Sequence, residues 1–152
     1  MFRFYADSML GKLSRFLRFL GYDTLYRTSE SVEEMLRESK QNARVVLSRS
    51  RQVISLCTKL QIPFIYLTST DISKQLQVIK ESLSLEIFFP PKTMRCSLCN
   101  GDLVSREKKE ILGRIPAGTT TYYDEFWECS KCSQIFWMGS HWDDIKRIID
   151  AE

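Results

Sequence analysis

Apolar residues recur at helical spacing between Ser8 and Leu20, where Leu10, Leu13, Phe16, Leu17 and Leu20 fall on one face. The stripe predicts a helix over 8–20, and Gly21 stands where such a helix takes a left-handed cap. Ahead of it, Phe2-Arg3-Phe4-Tyr5-Ala6 is short, aromatic and partly alternating, which reads as a strand ending at Asp7. Thr24-Leu25-Tyr26 predicts a second strand. A second helix is expected over 29–41, with Ser31 as N-cap and Glu34 as its capping-box partner. Val45-Val46-Leu47 is an apolar strand, followed by a helix over 53–60, a strand over 63–67 and a helix over 72–83. Continuously apolar strands alternating with helices predict a parallel sheet covered on both faces, an α/β fold.

Phe88-Phe89-Pro90-Pro91 breaks this rhythm and sets an expected boundary between an α/β domain over 1–89 and a smaller domain over 90–152. Beyond it the texture changes to cysteines, Gly/Thr turns and dense aromatics. Leu103-Val104, 122–127 and 135–137 are expected strands there, 143–149 a closing helix, and 106–110 a solvated hairpin tip. No internal repeat or low-complexity stretch interrupts either part.

The cysteines sharpen the second domain. Cys96-Ser-Leu-Cys99 and Cys129-Ser-Lys-Cys132 each have the two-residue gap that lets both thiolates of one tight turn reach a single ion. Two such turns, with a hairpin's length of chain between them, predict a closed tetrahedral zinc site on a zinc ribbon. A closed site holds structure together and performs no chemistry. The fifth cysteine, Cys57, lies in an apolar run and reads as a small core residue.

Composition adds little beyond limits. The chain of 152 residues is 43% hydrophobic and 27% charged, ordinary for a soluble globular protein. A net charge of +3 points to an anionic partner only if the positive side chains cluster. No apolar run reaches the length of a membrane span, and Arg3 and Asp7 interrupt the first apolar residues, so no secretory signal opens the chain. Paired thiols of zinc spacing beside a lone one suit a reducing, cytoplasmic setting.

Charge does cluster along the first helix. Lys12, Arg15 and Arg18 recur at three-residue spacing away from the leucine stripe, and no acid lies between Ser8 and Tyr22. Arg44, Arg49 and Arg51 bracket the third strand, which is expected to bring Arg49 and Arg51 to the same rim as Asp7. Such a rim would form a footprint for a phosphate backbone. Asp7 itself, at the carboxyl end of strand one, reads either as a divalent-metal ligand or as an N-cap. Downstream, Trp137 and Trp142 stand out among the ribbon aromatics as faces on which unpaired bases could stack. His141, the single histidine, is expected at the seam between the two parts rather than on the metal.

The run Asp7-Ser-Met-Leu-Gly-Lys-Leu-Ser-Arg-Phe-Leu-Arg-Phe-Leu-Gly-Tyr-Asp-Thr24 closely resembles the opening motif of the Mut-seven C-terminal RNase domain family. That family is found at the C-terminus of mutator-type exoribonucleases and as a stand-alone prokaryotic protein. Arg95-Cys-Ser-Leu-Cys-Asn-Gly101, Phe126-Trp-Glu-Cys-Ser-Lys-Cys132 and Phe136-Trp-Met-Gly-Ser-His-Trp142 resemble its zinc-ribbon signature. The resemblance implies a PIN-like parallel sheet flanked by helices with a C-terminal zinc ribbon, a ribonuclease ancestry and a role in binding RNA. PIN-type nucleases gather carboxylates around Mg or Mn ions, and Asp7 matches the first of them. Where the family's strand-three motif ends in Thr-Arg-Asp, this chain reads Ser48-Arg49-Ser50; at the second-helix acid it has Ser31 and Val32, with Glu33 and Glu34 close behind. A basic rim with thinned acids favours holding RNA, single-stranded, over cutting it. An active Mg- or Mn-dependent ribonuclease using Asp7 with Glu33 or Glu34 is the alternative, and an adaptor for a separate nuclease chain is a third reading.

Overall fold

The computed structural model describes residues 1–151. Four short parallel strands, β1 (Arg3–Ala6), β2 (Asp23–Tyr26), β3 (Val45–Ser48) and β4 (Phe64–Tyr66), lie in the order β2-β1-β3-β4. The helices between and after them are α1 (Gly11–Phe19), α2 (Val32–Gln41), α3 (Arg51–Leu60) and α4 (Ile72–Leu83). The register sets Phe4 beside Val45, Tyr5 beside Val46 and Ala6 beside Leu47.

Because neighbours on a strand point to opposite faces, the strands build two cores. Phe4, Ala6, Val45, Leu47 and Ile65 pack with Leu13, Leu17, Leu76 and Ile79 of α1 and α4. Tyr5 and Val46 pack on the other face with Met35, Leu36, Val53 and Cys57 of α2 and α3. The parallel α/β architecture expected from the apolar pattern is therefore present, and Cys57 is fully buried in the second core. Ser31 caps α2 in a capping box with Glu34, as the spacing predicts. Gly21 has φ +89°, and a Cβ there would sit 2.6 Å from the Thr93 carbonyl oxygen, so the connecting segment crosses where no side chain fits.

The second sheet is antiparallel, β5 (Leu103–Arg106), β6 (Phe126–Cys129) and β7 (Ile135–Trp137), around a small core of Ile111, Phe126 and Ile135. Two local expectations give way here. The strand expected from Tyr122 begins only at Phe126, because Thr119–Tyr122 coils into a helical turn, α6. The 106–110 segment is not a bare hairpin tip: Lys108–Ile111 forms a short helix, α5, with Glu107 and Glu110 in a reciprocal capping box. The last helix, α7 (Ser140–Asp150), leaves the small sheet and returns to the first core, where Ile145 packs and Ser73 Oγ donates to the Ile148 carbonyl at 3.3 Å. No described helix is long and apolar enough to cross a membrane.

Candidate metal centre and basic groove

The two cysteine turns meet. The Sγ atoms of Cys96, Cys99, Cys129 and Cys132 all lie within 4.8 Å of one another. Cys96 and Cys132 are 3.6 Å apart, Cys99 and Cys129 3.4 Å. A tetrahedron with metal–sulfur bonds of about 2.3 Å has edges of about 3.8 Å, so the tetrad is spaced for one ion. The backbone N–H groups of Lys131 and Cys132 each point at Cys129 Sγ from 3.4 Å. Burial pushes the Cys129 thiol up, but these donors and the neighbouring cysteines outweigh it and hold it down at about 7, whereas burial keeps Cys96 and Cys99 raised. Gly101 completes the cradle, since a Cβ there would lie 2.8 Å from Cys129 Sγ and 3.2 Å from Cys99 Sγ. The donor set suits a structural metal such as zinc, with every position taken by protein.

The first cysteine turn is docked onto the α/β part. Asn100 Oδ1 accepts the Thr24 N–H at 3.0 Å on the outer edge of β2, and Asn100 Nδ2 donates to Asp23 at 2.7 Å. Arg18, 4% exposed, donates from Nε to the Thr24 carbonyl at 2.9 Å and from one terminal nitrogen to the Ser97 carbonyl at 2.9 Å. Its own carbonyl accepts the Arg95 N–H at 2.9 Å. Arg18 therefore points inward, away from solvent. It is not part of an exposed basic face with Lys12 and Arg15, although the three share a spacing.

Lys12 and Arg15 stay exposed, and among the described residues neither is paired with a carboxylate. They line a groove of about 710 Å³ between α1 and α7 together with Phe136, Trp137, His141 and Trp142. Trp142 is 8% exposed and packs between Phe19, at 6.1 Å, and Phe89, at 5.6 Å, so it is chiefly packing. Phe136 and Trp137 are half-buried, and both line the groove. On α7, Arg147 is paired with Asp144, which leaves the α1 wall as the unneutralised one.

The Asp7 rim is a separate place. Asp7 is buried; Oδ1 accepts the Met9 N–H at 3.0 Å, and Oδ2 accepts the Ser48 hydroxyl in a short hydrogen bond. The N-cap position of α1 belongs to Leu10. Ser50, where the resemblance expects an aspartate, accepts the Val53 N–H and caps α3. Arg49 and Arg51 flank it, and neither lines the α1 groove. The basic residues thus divide between two places, where the strand-end argument puts them on one rim.

The acids divide too. Glu34 is held in its capping box and Glu33 is exposed on α2; neither lines the cavity of about 210 Å³ beside Asp7. Glu30 does. It accepts the Tyr5 hydroxyl in a short hydrogen bond and an Arg27 nitrogen at 2.5 Å, and Arg27 also reaches Glu38 at 2.6 Å. Sequence reading passed over Glu30 as part of the helix expected over 29–41, but α2 starts at Val32 and the partner of Glu30, Tyr5, is 25 positions away in the chain. Among the described residues, the cysteine tetrad is the one group of three or more His, Cys, Asp or Glu able to converge on an ion.

Neither the curated proteins nor the solved structures contain a match to this chain. The model of one family, the Mut7-C RNAse domain, matches residues 2–149 of the 152, spanning the α/β part, the cysteine tetrad and most of α7. With that extent of match, and with the Asp7–Gly21 segment and both cysteine turns in place, the chain belongs to the Mut7-C RNase domain family.

Proposed function

We propose that this ribonuclease-family domain binds single-stranded RNA in the groove between α1 and α7, on a scaffold held together by structural zinc. One observation carries the reading: unpaired Lys12 and Arg15 share a groove with the half-buried rings of Phe136 and Trp137. Cations on one wall suit phosphates, and ring faces beside them suit unpaired bases, each stack contributing about 1–3 kcal/mol. A helix wall and a ring-lined floor admit one strand more readily than a stiff duplex. Zinc is the natural ion for four thiolates in a closed tetrahedron, and a reducing, cytoplasmic environment suits it.

Hydrolysis is the weaker reading. Asp7 and Glu30 line one cavity, which is the observation in its favour. Yet both Asp7 oxygens already accept hydrogen bonds, Glu30 is engaged by Tyr5 and Arg27, and Ser50 contributes a neutral hydroxyl. A Mg or Mn ion needs more negative charge than that arrangement offers.

Anisotropy of a labelled single-stranded oligonucleotide across a salt series tests the proposal, with magnesium omitted rather than chelated so that the tetrad keeps its metal. Two phosphates gripped by Lys12 and Arg15 give a slope of roughly −1.4 in log affinity against log salt. A flat response, or an affinity unchanged by Lys12→Ala with Arg15→Ala, rejects the groove. Manganese-dependent cleavage that vanishes in Asp7→Asn would favour the nuclease reading instead.

A further inference from the structure

We propose that Arg18 is the counter-charge of the metal centre and the residue that ties its occupancy to the position of α1. A buried guanidinium needs negative charge nearby, because desolvation is costly for an unpaired ion. Among the described residues, the hydrogen bonds of the Arg18 side chain all end on neutral carbonyls: Thr24, Ser97 and, at 3.4 Å, Leu98. Among the described residues no carboxylate touches it. Asp23, an acid whose charge reaches Arg18, is already held by Arg3, Arg44 and Asn100.

What remains is the tetrad. Ser97 and Leu98 are the two residues between Cys96 and Cys99, so Arg18 grips the turn that presents half of the thiolates. Four thiolates around a divalent ion leave net negative charge on the cluster. Arg18 is placed to balance it, since its guanidinium is buried and holds the carbonyls of both residues that separate Cys96 from Cys99. The coupling is reciprocal by linkage: charge on the tetrad favours the buried cation, and the cation favours the loaded tetrad.

The consequence runs along α1. Arg18 sits at its C-terminal end, and Lys12 and Arg15 ride on the same helix. Fixing the Ser97 turn to α1 therefore fixes the cationic wall against the β7 rings. This last step rests on the RNA reading; the metal step does not.

Competition with a chromogenic chelator on the full chain tests the metal step. Residues that orient metal ligands from behind typically change affinity by about 10–100-fold, and a loss in that range is expected for Arg18→Gln. Arg18→Lys keeps the charge and loses the fork, so it should retain most of the affinity. If Gln and Lys lose affinity alike, the hydrogen bonds act and the charge does not, and the counter-charge proposal falls. If neither loses any, it falls as well. Should both variants fail to fold, hydrogen exchange on the wild-type chain decides: metal removal should lower protection of the amides of 17–20. Unchanged protection overturns the link to α1. RNA affinity is measured separately, through Lys12→Ala and Arg15→Ala, so a failure of the RNA reading leaves the metal result standing.

Discussion

The Ser48 hydroxyl donates to one carboxylate oxygen of Asp7, joining the carboxyl ends of two adjacent parallel strands. Ser48 is fully buried and Asp7 is 7% exposed, so little water can replace the bond. Removing the donor in Ser48→Ala leaves a buried acceptor unsatisfied and should cost about 1–3 kcal/mol. Urea denaturation checks this, with Ser48→Thr expected to stay near wild type. A Ser48→Ala midpoint equal to wild type would show that the bond contributes nothing.

Ser50 offers the converse experiment. It caps α3 through its side chain, and aspartate caps a helix as well as serine does. Ser50→Asp should therefore fold while adding a second carboxylate beside Asp7. Manganese affinity should rise on the order of tenfold, since ligand charge sets affinity at oxygen sites. Titration followed by the ion's paramagnetic signal measures it, and no gain would mean that the Asp7 rim cannot converge on a cation.

Asp23 predicts a pH dependence. Burial raises its carboxyl, but hydrogen bonds from Arg44, Asn100 and Arg3 outweigh burial and hold it well below the usual carboxylate range. A depressed folded-state pKa contributes stability that is present above the unfolded value, about 3.9, and is lost as pH falls below it. Stability should thus drop on acidification from about pH 4 downward, and Asp23→Asn should flatten that drop. At neutral pH the same variant strands the buried Arg44 guanidinium and should cost about 3 kcal/mol. Parallel thermal melts of both proteins from neutral to acid pH read both effects.

Gly101 gives a steric prediction. A methyl group there meets two metal-ligand sulfurs, one of them at 2.8 Å. Gly101→Ala should weaken metal retention at least tenfold, by the scale of changes that misplace ligands. Cobalt substitution followed by its thiolate charge-transfer absorption shows whether the tetrahedron survives. An unaltered spectrum and affinity would mean that the turn relaxes at no cost.

The division of the basic residues separates groove from rim. Lys12→Ala and Arg15→Ala should each lower the magnitude of the salt slope for a single strand by about 0.7. Arg49→Ala and Arg51→Ala should change it much less. Equal effects from both pairs would place the footprint across the molecule rather than in the groove.

What could be read from the sequence follows the range of the interactions involved. The α1 stripe, the Ser31–Glu34 capping box and the spacing within each cysteine pair are local, so a few neighbouring letters specify them. Arg18 looks like Lys12 and Arg15 because helical spacing says nothing about which turn a distant cysteine loop will cover. The contact that buries it spans 79 residues. Glu30 escaped for a similar reason: its partner Tyr5 lies across a strand. Tyr122 carries the aromatic character of a strand, but Gly118 with φ +87° turns the chain just before it and Thr119–Tyr122 coils.

Ile145 lies in the same apolar core as Phe4, although 141 positions separate them in the chain. A nascent polypeptide that has emerged only as far as its fourth helix therefore lacks part of the wall of its main core. On the ribosome the outer side of α4 must wait, partly uncovered, until α7 arrives. Chaperone engagement during synthesis, rather than afterward, is where this architecture is most exposed to error.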